Sequence, residues 1–133
     1  MSHIATVEVE FKDLDALAKA CQRCGVELKQ DQKYFKWFEG RVDRCDAAIV
    51  HPNPNAFQVG VINTDKGLKL QYDPYCKGYG MQDAIAFEDD IRGIGKLQQA
   101  YAIEVARKQA KKQGFAVKEQ LLKDGRVKLT LSR

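Results

Sequence analysis

The last stretch of the chain, residues 115–132, leaves it the least freedom. Phe115, Val117 and Leu121 fall on one side of a first segment, and Val127, Leu129 and Leu131 on one side of a second, the period-two pattern of half-buried strands. The two apolar sets face one core only if Leu121 opposes Val127 and Val117 opposes Leu131. That register leaves Lys123-Asp124-Gly125 as a three-residue loop with Gly125 in the left-handed conformation of a bulge. A two-residue Asp-Gly turn would set Leu121 against Lys128 and break the match.

The same patterning, read upstream, yields the other elements. Ala5, Val7, Val9 and Phe11 alternate with Thr6, Glu8 and Glu10, so residues 4–11 read as a first strand. Asp13 offers an N-cap, Leu14, Leu17, Ala18 and Cys21 form a helical stripe, and Gly25 supplies a stop, which predicts a helix from Leu14 to Cys24. Tyr34, Phe35, Trp37 and Phe38 make residues 33–39 a strand. Residues 46–51 and 57–63 read as a hairpin about a Pro-Asn-Pro-Asn turn, and a further strand runs from Leu68 to Tyr72. Residues 73–83, holding Pro74, Gly78 and Gly80 without periodicity, read as a loop. A second helix runs from about Lys96 to Gln113, with Gly114 as its stop. At 133 residues and 44% apolar content, one domain over 1–133 is expected. The expected fold is α+β, a largely antiparallel sheet with two main helices on one face, in the order strand, helix, strands, helix, hairpin.

With those elements placed, both ends of the chain resemble a family known as a hypothetical chloroplast reading frame, or domain of unknown function, from cyanobacteria, algal plastids and phages. The likeness rests on Met1-Ser2-His3 running into a short strand and on Asp13-Leu14 at the helix start. At the other end it rests on Leu97-Gln98-Gln99-Ala100-Tyr101-Ala102, on Lys111-Lys112-Gln113-Gly114-Phe115, and on the Lys-Asp-Gly hairpin tip. Between roughly Lys33 and Arg92 no alignment holds. The resemblance implies a small α+β protein and carries no catalytic residue with it.

Charge narrows function more than composition does. Residues 107–133 hold nine Lys or Arg against two acids, a net +7, whereas the other 106 residues hold thirteen against sixteen, a net −3. A basic terminal block is one signature of contact with a polyanion or an acidic protein. Arg107, Lys108, Lys111 and Lys112 crowd the end of the second helix, and Lys118, Arg126 and Lys128 stand on the outer face of the hairpin. They are expected to form one exposed stripe, with Tyr34, Trp37, Tyr75 or Tyr79 as stacking surfaces. Lys-rich helix ends and edge strands also arise simply as solubility devices.

No catalytic set is complete. Cys21-Gln22-Arg23-Cys24 has redox spacing but falls in the last turn of its helix, where the dipole opposes a thiolate, and a zinc site would need Cys45, Cys76 or a His to complete it. Four free thiols, no metal and no cofactor are expected. His3 and His51 neighbour no nucleophile in a recognised catalytic spacing. Glu88, Asp89 and Asp90 are read as acids at a helix start. No stretch approaches the roughly 20 apolar residues that cross a bilayer, and no signal-like block opens the chain, so a cytoplasmic protein without a membrane partner is expected. The leading expectation is a non-enzymatic binding or adaptor module whose basic helix and hairpin contact a protein partner or nucleic acid. The alternative is a small-ligand or enzymatic site in the 74–83 loop, using Tyr75, Cys76, Lys77 and Tyr79.

Overall fold

The computed structural model describes the backbone of residues 5–75, 77–123 and 125–133, and the side chains among these from Phe11 onward. Strand β1 (Ala5–Phe11) is followed by helix α1 (Leu14–Arg23) and the short strands β2 (Glu27–Lys29), β3 (Tyr34–Lys36) and β4 (Val42–Arg44). A meander of β5 (Ala47–Val50), β6 (Val59–Thr64) and β7 (Gly67–Tyr72) comes next, then a short helix α2 (Met81–Ile85), the long helix α3 (Gly95–Lys112) and a closing ribbon of β8 (Ala116–Leu121) and β9 (Val127–Ser132). The fold is α+β, as expected.

Five strands form the main sheet in the order β1-β7-β6-β5-β2, with every neighbour antiparallel. Alternation assigns its two faces. Ala47, Ile49, Val59, Val61, Leu68, Leu70 and Tyr72 turn towards the helices and pack with Leu17, Ala20 and Cys21 of α1, Met81 and Ile85 of α2, and Leu97 and Ala100 of α3. The intervening residue Ala48 faces the other way, beneath Phe35, Trp37 and Cys45 of the β3–β4 segment, with Val50 and Ile62 beside it. Gly60 lies on that second face, and a Cβ there would run into the Phe35 ring. The glycine is therefore what lets an aromatic side chain lie flat on the sheet.

Asp13 caps α1 by accepting the Ala16 amide at 3.1 Å, and Gly25 takes a φ of +77° just beyond Cys24. The closing ribbon has the expected register, Leu121 opposite Val127 and Val117 opposite Leu131, with Gly125 at φ +87°.

Three expectations are corrected. The ribbon is a separate two-stranded sheet that does not share the main core, and Leu121 and Leu131 remain 75% and 47% exposed. It lies along α3, tied by Gln99 Nε2 donating to the Gly125 carbonyl at one end and by the Phe115 amide donating to the Ala110 carbonyl at the other. The 73–83 loop contains a 3-10 turn at Gly78–Gly80 and the helix α2, which lacks apolar periodicity because it is only five residues long. Glu88–Asp90 form their own 3-10 turn ahead of α3, whose first turn carries no acid. No helix among the described residues is long and apolar enough to cross a membrane.

Candidate functional site

On α3, positions 104, 107, 108, 111 and 112 share one face by helical spacing, and on α1 positions 15, 16 and 19 do the same. Where the helices pack, these residues line a groove of about 350 Å³. Its walls carry Lys19, Arg107, Lys108, Lys111 and Lys112 against Asp15 and Glu104. Four of the seven cations singled out from the sequence therefore meet in one concave surface, joined by Lys19, which that reading did not pick out. Its signal was present as a single Lys one turn after Asp15, but only the long-range contact between α1 and α3 shows which face it joins.

Two of these cations are already engaged. Lys108 Nζ bonds Asp13 Oδ2 at 2.7 Å, across 95 residues of chain, so it backs the N-cap of α1. The Lys108 bond, with help from the Ala16 amide, holds the Asp13 carboxyl below the usual carboxylate range, and Asp13 raises Lys108 in turn. The Tyr101 hydroxyl accepts the Lys12 and Asp13 amides at 2.9 and 3.1 Å, fixing the same junction to α3. Arg107 Nη1 donates to Glu119 of β8 at 2.9 Å, and Arg23 grips the same carboxylate with both terminal nitrogens while its Nε donates to Glu104 at 2.6 Å. Glu119, held chiefly by Arg23, is lowered below its ordinary value, and Arg23 is raised by it. Arg107 and Lys108 thus shape the groove. Among the described residues, Lys19, Lys111 and Lys112 have no ion-pair partner.

The ribbon cations form a second surface. Lys118 and Lys128 alternate with Val117, Glu119, Val127 and Leu129, and Glu119 points to the helices, so both lysines point away from α3, with the exposed Arg126 beside them. The expected single stripe is in fact two sets of cations aimed to different sides.

The 74–83 loop does not gather its candidates either. The Tyr75 amide donates to Asp73 Oδ1 at 2.9 Å and the Tyr75 ring lies under the Arg92 guanidinium at 5.1 Å. Tyr79 instead meets Phe57 edge-on at 6.0 Å, on the face of the sheet opposite the helices, where Trp37 also lies. Lys77 is exposed and serves the turn through its carbonyl, which accepts the Gly80 and Gln82 amides. Cys76 lies outside the described residues, as does His3.

The remaining candidates have structural roles. Cys21, Cys24 and Cys45 are free thiols; burial pushes Cys21 up to about 12 and raises the other two, which makes all three poor nucleophiles. His51 Nδ1 accepts the Asn53 amide at 3.0 Å and its ring rests near Gly80. Among the described residues, no three His, Cys, Asp or Glu side chains converge as metal ligands. No family model matches the chain, and neither a curated protein nor a solved structure matches it.

Proposed function

We propose that this protein is a non-catalytic binding module whose groove between α1 and α3 docks an acidic segment of a protein partner. The carrying observation is the groove wall itself, five cations against two acids in a concave surface that contains no aromatic side chain. A nucleic-acid site would want rings beside its cations to stack the bases, and here Trp37 and Tyr79 lie behind the sheet. Lys19, Lys111 and Lys112 supply the recognition charge, while Arg107 and Lys108 keep the groove in shape. Lys118, Arg126 and Lys128 on the outer ribbon face favour a second reading, backbone contact with a nucleic acid. A cytoplasmic setting and kinship with the reading-frame family belong to the same proposal; the kinship contributes a fold and no site.

The test is titration of labelled polyglutamate and of oligothymidylate against the protein and its K19E/K111E/K112E variant, with circular dichroism to confirm folding. The reading predicts saturable polyglutamate binding that weakens by about tenfold or more in the variant and with added salt. Tighter binding of oligothymidylate, unaffected by the triple reversal, would favour the nucleic-acid reading on the ribbon, and a polyglutamate affinity unchanged by the triple reversal would contradict the groove reading.

A further inference from the structure

Behind the sheet, three loops enclose a second cleft of about 400 Å³, within the ordinary range for small-molecule sites. Lys36, Trp37 and Glu39 form one wall, Pro54 and Phe57 another, and Tyr79 the third. The loops are tied to one another at every side. The Phe57 amide donates to the Gly78 carbonyl at 2.9 Å, the Gln58 amide to the Lys36 carbonyl at 2.8 Å, and Asn53 Nδ2 to the Tyr79 carbonyl at 3.2 Å. Such a cleft is formed before any ligand arrives, which lowers the ordering cost of binding.

Two further features set it apart. Among the described residues, Glu39 and Tyr79 are the non-glycine residues with positive φ, both at +54°, and both line this cleft. L side chains rarely adopt that region, and such residues persist where surrounding structure holds them. Here the conformation presents Tyr79, 68% exposed, with its ring in a T-shaped contact with Phe57, which meets Phe38 in the same way at 6.4 Å. A supported aromatic ring with an open face is a stacking platform.

The charges flanking the platform define what can stack there. Lys36 Nζ donates to the Pro54 carbonyl at 3.3 Å, which leaves an ammonium with further donors for an anion, and the exposed Glu39 carboxylate is able to accept from an amino group of a ligand. The geometry points to a small-molecule site for a nucleoside monophosphate: the base stacks on Tyr79, the phosphate pairs with Lys36, and an exocyclic amino group of the base donates to Glu39. This site is independent of the α1–α3 groove, from which the sheet separates it.

Trp37, the single tryptophan of the chain, lines the cleft and reports on it directly. Its emission is to be followed during titration with adenosine monophosphate, adenosine and ribose 5-phosphate, on the protein and on the Tyr79→Phe, Tyr79→Asn and Lys36→Ala variants. Saturable binding of the nucleotide is expected. Tyr79→Phe should retain it, whereas Tyr79→Asn, which tolerates the left-handed backbone without the ring, should weaken nucleotide and nucleoside by about 5-fold or more. Lys36→Ala should weaken the nucleotide and leave adenosine unchanged. No saturable response to the nucleotide, equal affinity for ribose 5-phosphate, or indifference to Tyr79→Asn would overturn the assignment.

Discussion

Among the described residues, two separate two-stranded ribbons, β3–β4 and β8–β9, are attached to the rest by different means. In β3–β4, Phe35 is fully buried over Gly60, and Trp37 and Cys45 are buried beside it. In β8–β9, the face turned to α3 carries Glu119 midway between Val117 and Leu121, and the apolar row ends in the exposed Leu121 and Leu131. The first ribbon is held chiefly by apolar burial; the second is held by hydrogen bonds from Gln99 to the Gly125 carbonyl and from the Phe115 amide to the Ala110 carbonyl, and by a carboxylate shared between Arg23 and Arg107. A lone two-stranded ribbon is marginal in water, so each depends on its anchor. Salt does not screen apolar burial, whereas it screens a partly exposed ion cluster.

The largest expected effect comes from removing the apolar lock. Phe35→Ala should cost about 3–5 kcal/mol of stability in denaturant titration, with Trp37 emission moving to the red as the ribbon lifts from the sheet. Acid should act on the other side of the molecule. Glu119 and Asp13 have folded-state pKa values below their unfolded ones, so the stability they contribute is present above roughly pH 4.3 and is lost as pH falls through the folded values. Melting followed against pH should therefore show a decline beginning at about pH 4, reduced in Asp13→Asn. The smallest effect is that of Glu119→Gln, up to about 1 kcal/mol. Amide exchange should then rise in β8–β9 and stay constant in β3–β4, and added salt should reproduce the difference in the unaltered protein.

What the sequence made legible was local. The 121–127 pairing, the Asp13 cap, the meander and the long helix all follow from alternation, capping and glycine placement within a short window, and the structure has them. The rest depends on partners far apart in the chain. Glu27–Lys29 is a sheet edge strand with too few residues to show a period. The Gly60 gap has meaning only once Phe35 lies above it. Lys108 looks like any exposed lysine until Asp13 is brought to it, and Lys19 belongs to the groove only because α1 packs on α3. Tyr79 stands out within its loop, but its neighbours Trp37 and Phe57 come from two other loops, and left-handed backbone at Tyr79 and Glu39 has no local signature.

On these proposals the two faces of the sheet carry two separate binding surfaces, a basic one among the helices and an aromatic one beside the first ribbon. Amide chemical-shift mapping on one labelled sample, titrated first with polyglutamate and then with adenosine monophosphate, distinguishes the two surfaces. The peptide should perturb residues around Lys19, Lys111 and Lys112, and the nucleotide Trp37, Glu39, Phe57 and Tyr79. Both ligands moving the same set, or neither moving its own, would contradict this arrangement.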